Sequence, residues 1–411
     1  MYDWGQSAFT TTIISAVFPI FFISVASSGL PKEQASFHFA LTTTIALSVV
    51  AFCSPLLGAI ADRRPIKKTL LGAFTAVGVI ATLLMVFIGE GQWQLAAVLF
   101  AIANIGAAGS LIFYDSLLPH LAKNDELDRL STAGYALGYV GGGILLAINI
   151  AGILNYEALG FATKSDATRA SFATAAIWWA VFSVSLLRTV PEPAVNPEIN
   201  RQRFAIAAQL RQTFAELRSY RHALLFLFAF LIYNDGIGTI IRLATAYGTE
   251  LGLPSSALIG AVLLVQFVGI PFTFLFGAIA GKIGAKSSIY VALAAYAGIC
   301  VLGYYMTSVT HFYVIAALVG VVQGGCQALS RSLFAGMIPK HKSSEFFGLF
   351  SVFNKFAGII GPGLFSLIIY TTGSSRLGIL AIIAFFVLGG LLLGFVDVDA
   401  GRQQAREAED S

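Results

Sequence analysis

Several ionisable and amide side chains lie inside long apolar stretches of this chain. Asn234, Asp235, Thr239 and Arg242 share one stretch, and Asp235 and Arg242 are seven positions apart. On a helix that spacing puts them on one face, about 10 Å apart along the axis. Gln323, Gln327, Ser330 and Arg331 mark a second stretch at spacings of four, three and one, and Asn104 and Asp115 share a face of a third. Gln6, Thr10, Thr11 and Ser15 mark the first stretch of all. A charge in hydrocarbon is costly and nearly always faces a cavity or a partner. These residues are therefore the candidates for a solute site, with a carboxylate held by Arg242 or Arg331 and an ammonium near Asp235. Asp115 and Asp235 against Arg242, Arg331 and Lys355 leave one net positive charge inside the helices, which favours a zwitterionic or anionic solute. Asp235 or Asp115 could also carry a coupling proton. A salt bridge that locks helices together explains each charge equally well, and Asp115 and Arg331 sit where they could pair as a gate.

The elements that must position these groups are membrane helices. Of 411 residues 57% are apolar and 11% charged, with mean hydropathy +0.81, whereas soluble domains carry about 25% charged residues. Stretches of about 20 apolar residues place twelve helices at 5–28, 36–61, 69–89, 93–118, 132–154, 170–188, 222–249, 256–281, 287–307, 311–338, 345–370 and 375–396. Twelve is even, so both ends share one side.

The cations say which side. Of 25 Lys and Arg, 18 adjoin the even-to-odd turns or the tail. Four, Lys32, Lys164, Arg169 and Arg376, adjoin the opposite turns, and Arg242, Arg331 and Lys355 lie inside helices. The bias places both termini in the cytoplasm, so the net charge of +4 reflects topology and implies no nucleic-acid partner. Cys53, Cys300 and Cys326 each stand alone in an apolar helix, and the five histidines fall at helix ends without ligand-type pairing. Neither a disulfide framework nor a metal site is expected, and no cofactor. Without clustered catalytic groups or a nucleotide-binding glycine loop, an enzyme or a hydrolysis-driven pump is not expected either. The first helix begins almost at Met1, which suggests that a short native segment precedes it.

The chain is a tandem duplication. Gly58-Ala-Ile60-Ala-Asp62 aligns with Gly277-Ala-Ile279-Ala-Gly281, and Lys67 with Lys286, at an offset of 219. Pro119, Asp125, Ser131, Gly138, Gly141 and Gly143 align with Pro339, Glu345, Ser351, Gly358, Gly361 and Gly363 at an offset of 220. Residues 1–190 form one six-helix bundle and 221–396 the other. Between them, 191–220 is a linker in which 201–219 reads as an amphipathic helix on the inner leaflet, and 397–411 reads as a disordered cytoplasmic tail. Duplicated bundles with a site at their interface are the architecture of secondary transporters. The glycine runs of the fifth and eleventh helices should allow tight crossing where the bundles rock against each other.

After the second helix, Gly58, Asp62, Arg63 and Lys67 match a signature turn of pattern Gly-x-Leu-x-Asp-Arg-x-Gly-Arg-Arg, with departures at Ile60, Pro65 and Ile66. The chain here resembles the major facilitator superfamily. That resemblance implies an all-α membrane fold of twelve transmembrane helices in two pseudo-symmetric bundles, with helices one, four, seven and ten around a central cavity. In this turn Asp62 would bond a helix N-terminus or a nearby Arg, and with Arg63 it would form a latch. Gly134-x-x-x-Gly138-Tyr139-x-Gly141-Gly142-Gly143 is similar to the superfamily's antiporter motif, with Tyr139 in place of proline.

Tyr2-Asp3-Trp4-Gly5, Phe113-Tyr114-Asp115-Ser116, Tyr233-Asn234-Asp235-Gly236, Gln327-Ala-Leu-Ser330-Arg331-Ser332 and Lys355-Phe-Ala-Gly358 are similar to the vacuolar amino-acid effluxer family, the autophagy-related permeases and their bacterial relatives. What this implies is a secondary transporter that moves an amino acid or similar zwitterion by alternating access. Proton-coupled export is one form of it, and a drug or lipophilic-compound exporter is the alternative. The expected substrate-binding residues are Asp235, Arg242, Asn234, Gln323, Gln327 and Arg331; Asp62, Arg63, Asp115 and Lys355 are expected to gate or couple. The protein is expected to act as a monomer in a cell membrane, a bacterial inner membrane, with the bilayer, the solute and protons as its partners.

Overall fold

The computed structural model describes residues 1–123, 126–194, 216, 218–357 and 360–410. Twelve helices among them are long and apolar enough to cross a membrane. They are α1 (Tyr2–Ala26), α2 (Phe37–Arg63), α3 (Lys67–Phe87), α4 (Trp93–Leu121), α5 (Leu127–Leu154) and α6 (Lys164–Thr189), then α7 (Arg221–Ala244), α8 (Gly260–Ile283), α9 (Ala285–Tyr304) and α10 (Val309–Ala335), with α11 and α12 (Ser375–Gly394) completing the set. Phe18, Phe100, Phe172 and Trp179 pack in one core within α1–α6. Phe226, Tyr233, Tyr296 and Phe386 pack in another within α7–α12, which also takes in Leu118 and Leu127 of the first half.

Two helices depart from the uninterrupted spans expected of the sequence. α1 widens into π-helix at Thr10–Ala16 and again at Phe22–Ala26. Pro19 explains the first widening, because it offers no N–H to the carbonyl four residues back and its ring crowds that carbonyl. Thr11 Oγ1 then bonds the carbonyls of Ser7 at 3.0 Å and, on α5, Gly142 at 3.2 Å. α11 is two helices, α11a (Ser343–Phe356) and α11b (Ile360–Thr372). Ala357 has left helical geometry at φ −61°, ψ 119°, and four residues on Gly361-Pro362-Gly363 supplies two poor helix formers around a residue with no donor.

The tail is also ordered. It forms α13 (Val398–Asp410), capped by Asp397, whose Oδ1 accepts the amides of Asp399 at 3.1 Å and Ala400 at 3.0 Å. Those bonds hold the Asp397 carboxyl below the usual carboxylate range, the Ala400 amide foremost. Ala405 is buried and Gly401 lies against Met337, so a short apolar face outweighs a composition that reads as disordered. The amphipathic reading of 201–219 falls almost wholly outside the described residues, as do Asp125 and Gly358.

The glycine runs act within each half rather than between halves. Gly138 and Gly141 let α5 ride on Asp3, Trp4 and Ser7 of α1, and Gly361 lets α11b ride on Thr239 of α7. Of the fifth-helix run, Gly143 faces the other half at Gln266, and Gly134 lies between Asp3 of α1 and the Arg331 guanidinium of α10. The close approaches between halves belong instead to Gly58, Gly348 and Gly277: a Cβ on Gly58 would stand 2.6 Å from the Ser344 carbonyl carbon, and one on Gly348 2.6 Å from the Ser54 carbonyl oxygen.

Candidate functional site

The halves are joined by polar contacts at the ends of their helices, on the face that carries both termini and the cation-rich turns. The first group forms around Asp62, which is 4% exposed. Its carboxylate accepts the amides of Ser344 at 3.1 Å and Glu345 at 2.7 Å, the first free N–H groups of α11a. A carboxylate at a helix N-terminus satisfies orphan donors and meets the positive end of the helix dipole. Lys67, 3% exposed, reaches Asp62 at 2.8 Å and donates to Ser343 Oγ at 2.8 Å. His120 Nε2 lies 3.2 Å from Lys67 Nζ and 3.1 Å from Ser343 Oγ. On the other side of the turn, the Glu192 carboxylate accepts the amides of Lys67 at 2.7 Å and Lys68 at 3.0 Å, capping α3. Thus Asp62 bonds a helix N-terminus, but one supplied by the opposite half.

The second group centres on Arg331, 4% exposed, which crosses from α10 into the first half. Its guanidinium donates to Asp115 at 3.0 Å, to Ser131 Oγ at 2.9 Å and to the Ser131 carbonyl at 3.1 Å, with Asp3 at 4.0 Å. It lies 4.6 Å from the ring centre of Tyr135 and 5.5 Å from that of Tyr114, and Tyr114 in turn donates to Asp3. Ser131 Oγ passes its own proton to the Ala328 carbonyl at 2.7 Å. A fork-shaped cation is suited to several acceptors in one plane with aromatic faces above it. Asp115 and Arg331 are therefore paired, and the group includes Asp3, Ser131 and Tyr135, which the spacing of intramembrane charges does not reveal. Asp3 was visible only as part of the Tyr2-Asp3-Trp4 motif.

Deeper in the second half, α7 is stitched to the break in α11. Asn234 donates to Asn354 Oδ1 at 2.9 Å. Asp235, 1% exposed, accepts the amides of Ile360 at 3.1 Å and Gly361 at 3.0 Å, so it caps α11b as Asp62 caps α11a. Arg242, largely exposed, donates to the Ala357 carbonyl at 3.3 Å. These three hydrogen bonds of Asp235 and Arg242 reach residues more than a hundred positions away, which is why they are not evident in the sequence. Gln323, Gln327 and Lys355 are partly exposed, and among the described residues their side chains make no hydrogen bond or ion pair. Lys355 lies within electrostatic reach of both Arg242 and Asp115.

A family model described as "Vacuole effluxer Atg22 like" matches residues 1–406. The chain is 35% identical over 415 residues to a protein of Bacillus subtilis (strain 168) described as an uncharacterized MFS-type transporter YxiO, covering 100% of this chain and 96% of that protein. It is 24% identical over 473 residues to Autophagy-related protein 22 of Yarrowia lipolytica, covering 93% and 79%. Among solved structures it resembles the proton:xylose symporter XylE with TM-score 0.73 at 16% identity, covering 99% of this chain and 96% of that one. That likeness shows the major facilitator fold.

Proposed function

The chain belongs to the Atg22-like family of major facilitator transporters, and from that premise we propose that it moves a small zwitterion, an amino acid or a close analogue, by alternating access. The observation that carries the reading is the contrast between the two sets of polar groups. Asp62, Lys67 and Arg331 are buried and bonded across the two halves, to Ser344 and Glu345, to Ser343 and to Asp115, as a closed seal would be. Gln323, Gln327 and Lys355 are partly exposed and, among the described residues, make no side-chain hydrogen bond or ion pair, as a solute site would. Lys355 and Arg242 suit the solute carboxylate, and the two glutamines its remaining polar groups.

In this reading the sealed face is cytoplasmic, as the cation bias requires, and the cavity opens outward. Asp235 serves as the cap that holds α11b, and Arg331 as the seal. Asp115 is then the carboxylate suited to proton coupling, since a proton on it removes the partner of Arg331 across the seam and lets the halves part. Melting-temperature screening of the purified protein against amino acids, carboxylates, sugars and cationic dyes tests the substrate class, because a bound solute stabilises the fold. Amino acids should raise the melting point of the wild type, and Lys355→Met should abolish the shift. A response to cationic dyes alone would replace this reading with drug export. Uptake into proteoliposomes that keeps its pH dependence in Asp115→Asn would remove Asp115 from coupling.

A further inference from the structure

The halves meet along two seams that the duplication makes equivalent, α2 against α11a and α8 against α5. Gly58 and Gly277 correspond, and each brings its helix close to the opposite half, Gly58 at Ser344 and Gly277 at Thr132. Lys67 and Lys286 correspond as well, but the partner of Asp62 is Gly281. In the first seam Asp62 neutralises Lys67 at 2.8 Å. In the second no carboxylate stands at that register, and Lys286 donates to the carbonyls of Gly394 at 3.1 Å and Val396 at 2.7 Å.

Where the carboxylate is missing there is a groove of about 930 Å³. Arg129 of α5, Lys286 of α9 and Arg402 of α13 line it, against Asp128 and Asp399. Asp128 accepts from Ser332 Oγ at 2.5 Å and lies within electrostatic reach of Arg402, without an ion pair between them. Among the described residues neither Arg129 nor Arg402 makes a side-chain hydrogen bond or ion pair, and Arg402 Nε is buried without an acceptor. A buried donor without an acceptor is costly enough to call for one. The remaining wall is apolar and includes Phe274 and Ile283, both half exposed on the outside of the bundle.

We propose that this groove binds the phosphate of an anionic membrane lipid, which supplies in the second seam the negative charge that Asp62 supplies in the first. A basic pocket at the ends of membrane helices sits level with lipid headgroups, and the apolar wall suits a ligand that arrives with acyl chains. Because α5 contributes from one half and α8, α9 and α10 from the other, the lipid binds the two halves only while they are together. It therefore favours the sealed conformation.

The test uses the purified full-length protein, followed by thermal unfolding and native mass spectrometry with phosphatidylglycerol, phosphatidylcholine or inorganic phosphate. Phosphatidylglycerol should raise the melting temperature and remain bound; phosphatidylcholine and inorganic phosphate at equal concentration should not. The double variant Arg129→Gln, Arg402→Gln should weaken phosphatidylglycerol binding by roughly thirtyfold. Gly281→Asp restores the carboxylate at a position where a Cβ meets nothing within 4 Å, and it too should abolish the phosphatidylglycerol response while melting like the wild type without lipid. If the double variant does not fold, Gly281→Asp decides. An undiminished phosphatidylglycerol response in the variants, or an equal response to inorganic phosphate, overturns the proposal.

Discussion

The α2–α11a seam and the α5–α8 seam start from the same duplicated backbone and close in different ways. Both use a glycine to bring helices of opposite halves together, yet the first presses on main chain and the second on the Thr132 side chain. The first also carries a buried ion pair that caps a helix, Lys67 with Asp62, whereas the second has a groove at that level. Duplication therefore preserves contact geometry more faithfully than it preserves charge. At the aligned position the first seam has aspartate, at 62, bonded across to the opposite half, and the second has glycine, at 281, beside the groove.

The largest effect should come from Asp62→Asn. It removes one charge of a buried pair and weakens the cap on α11a, a loss of about 3–5 kcal/mol for pairs of this kind, felt only while the seal is closed. Transport should fall more than expression, and cysteines at the facing ends of α2 and α11a should cross-link more slowly. Normal rates in both assays would reduce the signature turn to a topology signal. Gly58→Ala should come next, because its new Cβ meets the Ser344 carbonyl carbon at 2.6 Å and backbone gives way little; overpacking of this sort costs about 1–3 kcal/mol. Gly277→Ala should do less in the same transport assay. Its Cβ would press hardest on the Thr132 hydroxyl oxygen, which rotation about Cα–Cβ can move at the cost of its hydrogen bond to the Asp128 carbonyl. Equal damage from the two alanines would erase the difference between the seams.

The smallest effect concerns α13, which brings Arg402 to the second seam. The Asp397 carboxyl is held below its usual range by the Ala400 amide and then by Asp399. A depressed value means that its stabilisation is complete above the ordinary carboxylate value of about 4 and is lost as pH falls through the folded value. Protection of the α13 amides, each exchange rate taken relative to an unstructured amide at the same pH, should therefore hold from neutral pH down to about that point and fall below it. Asp397→Ala should show the fast exchange already at neutral pH, and a variant that exchanges as slowly as the wild type would free the helix from its cap.

The twelve spans were legible because a run of some twenty apolar residues has few other fates. The importance of the turn at Asp62 was legible too, since Gly58 and Asp62 match a known pattern. The acceptors and donors that meet those charges were not. Ser344, Ser131 and the amides of Ile360 and Gly361 are ordinary in the sequence, and their importance comes from where a distant helix begins or breaks. The order of α13 was hidden by a charged composition in which one capping aspartate and one buried alanine carry the structure.

The broken α11 has a consequence in leverage. Asp235 fastens α11b to α7 in its own half, while Asp62 fastens the far end of α11a to the opposite half. One helix is thus held by both halves, which under the proposed alternating access move apart. α11a has 14 residues, an arm of about 21 Å. A tilt of about 5° between the two pieces would carry the Ser343 end through about 2 Å, which exceeds the tolerance of a hydrogen bond. A small angle between the pieces is therefore enough to release the amides of Ser344 and Glu345 from Asp62 together.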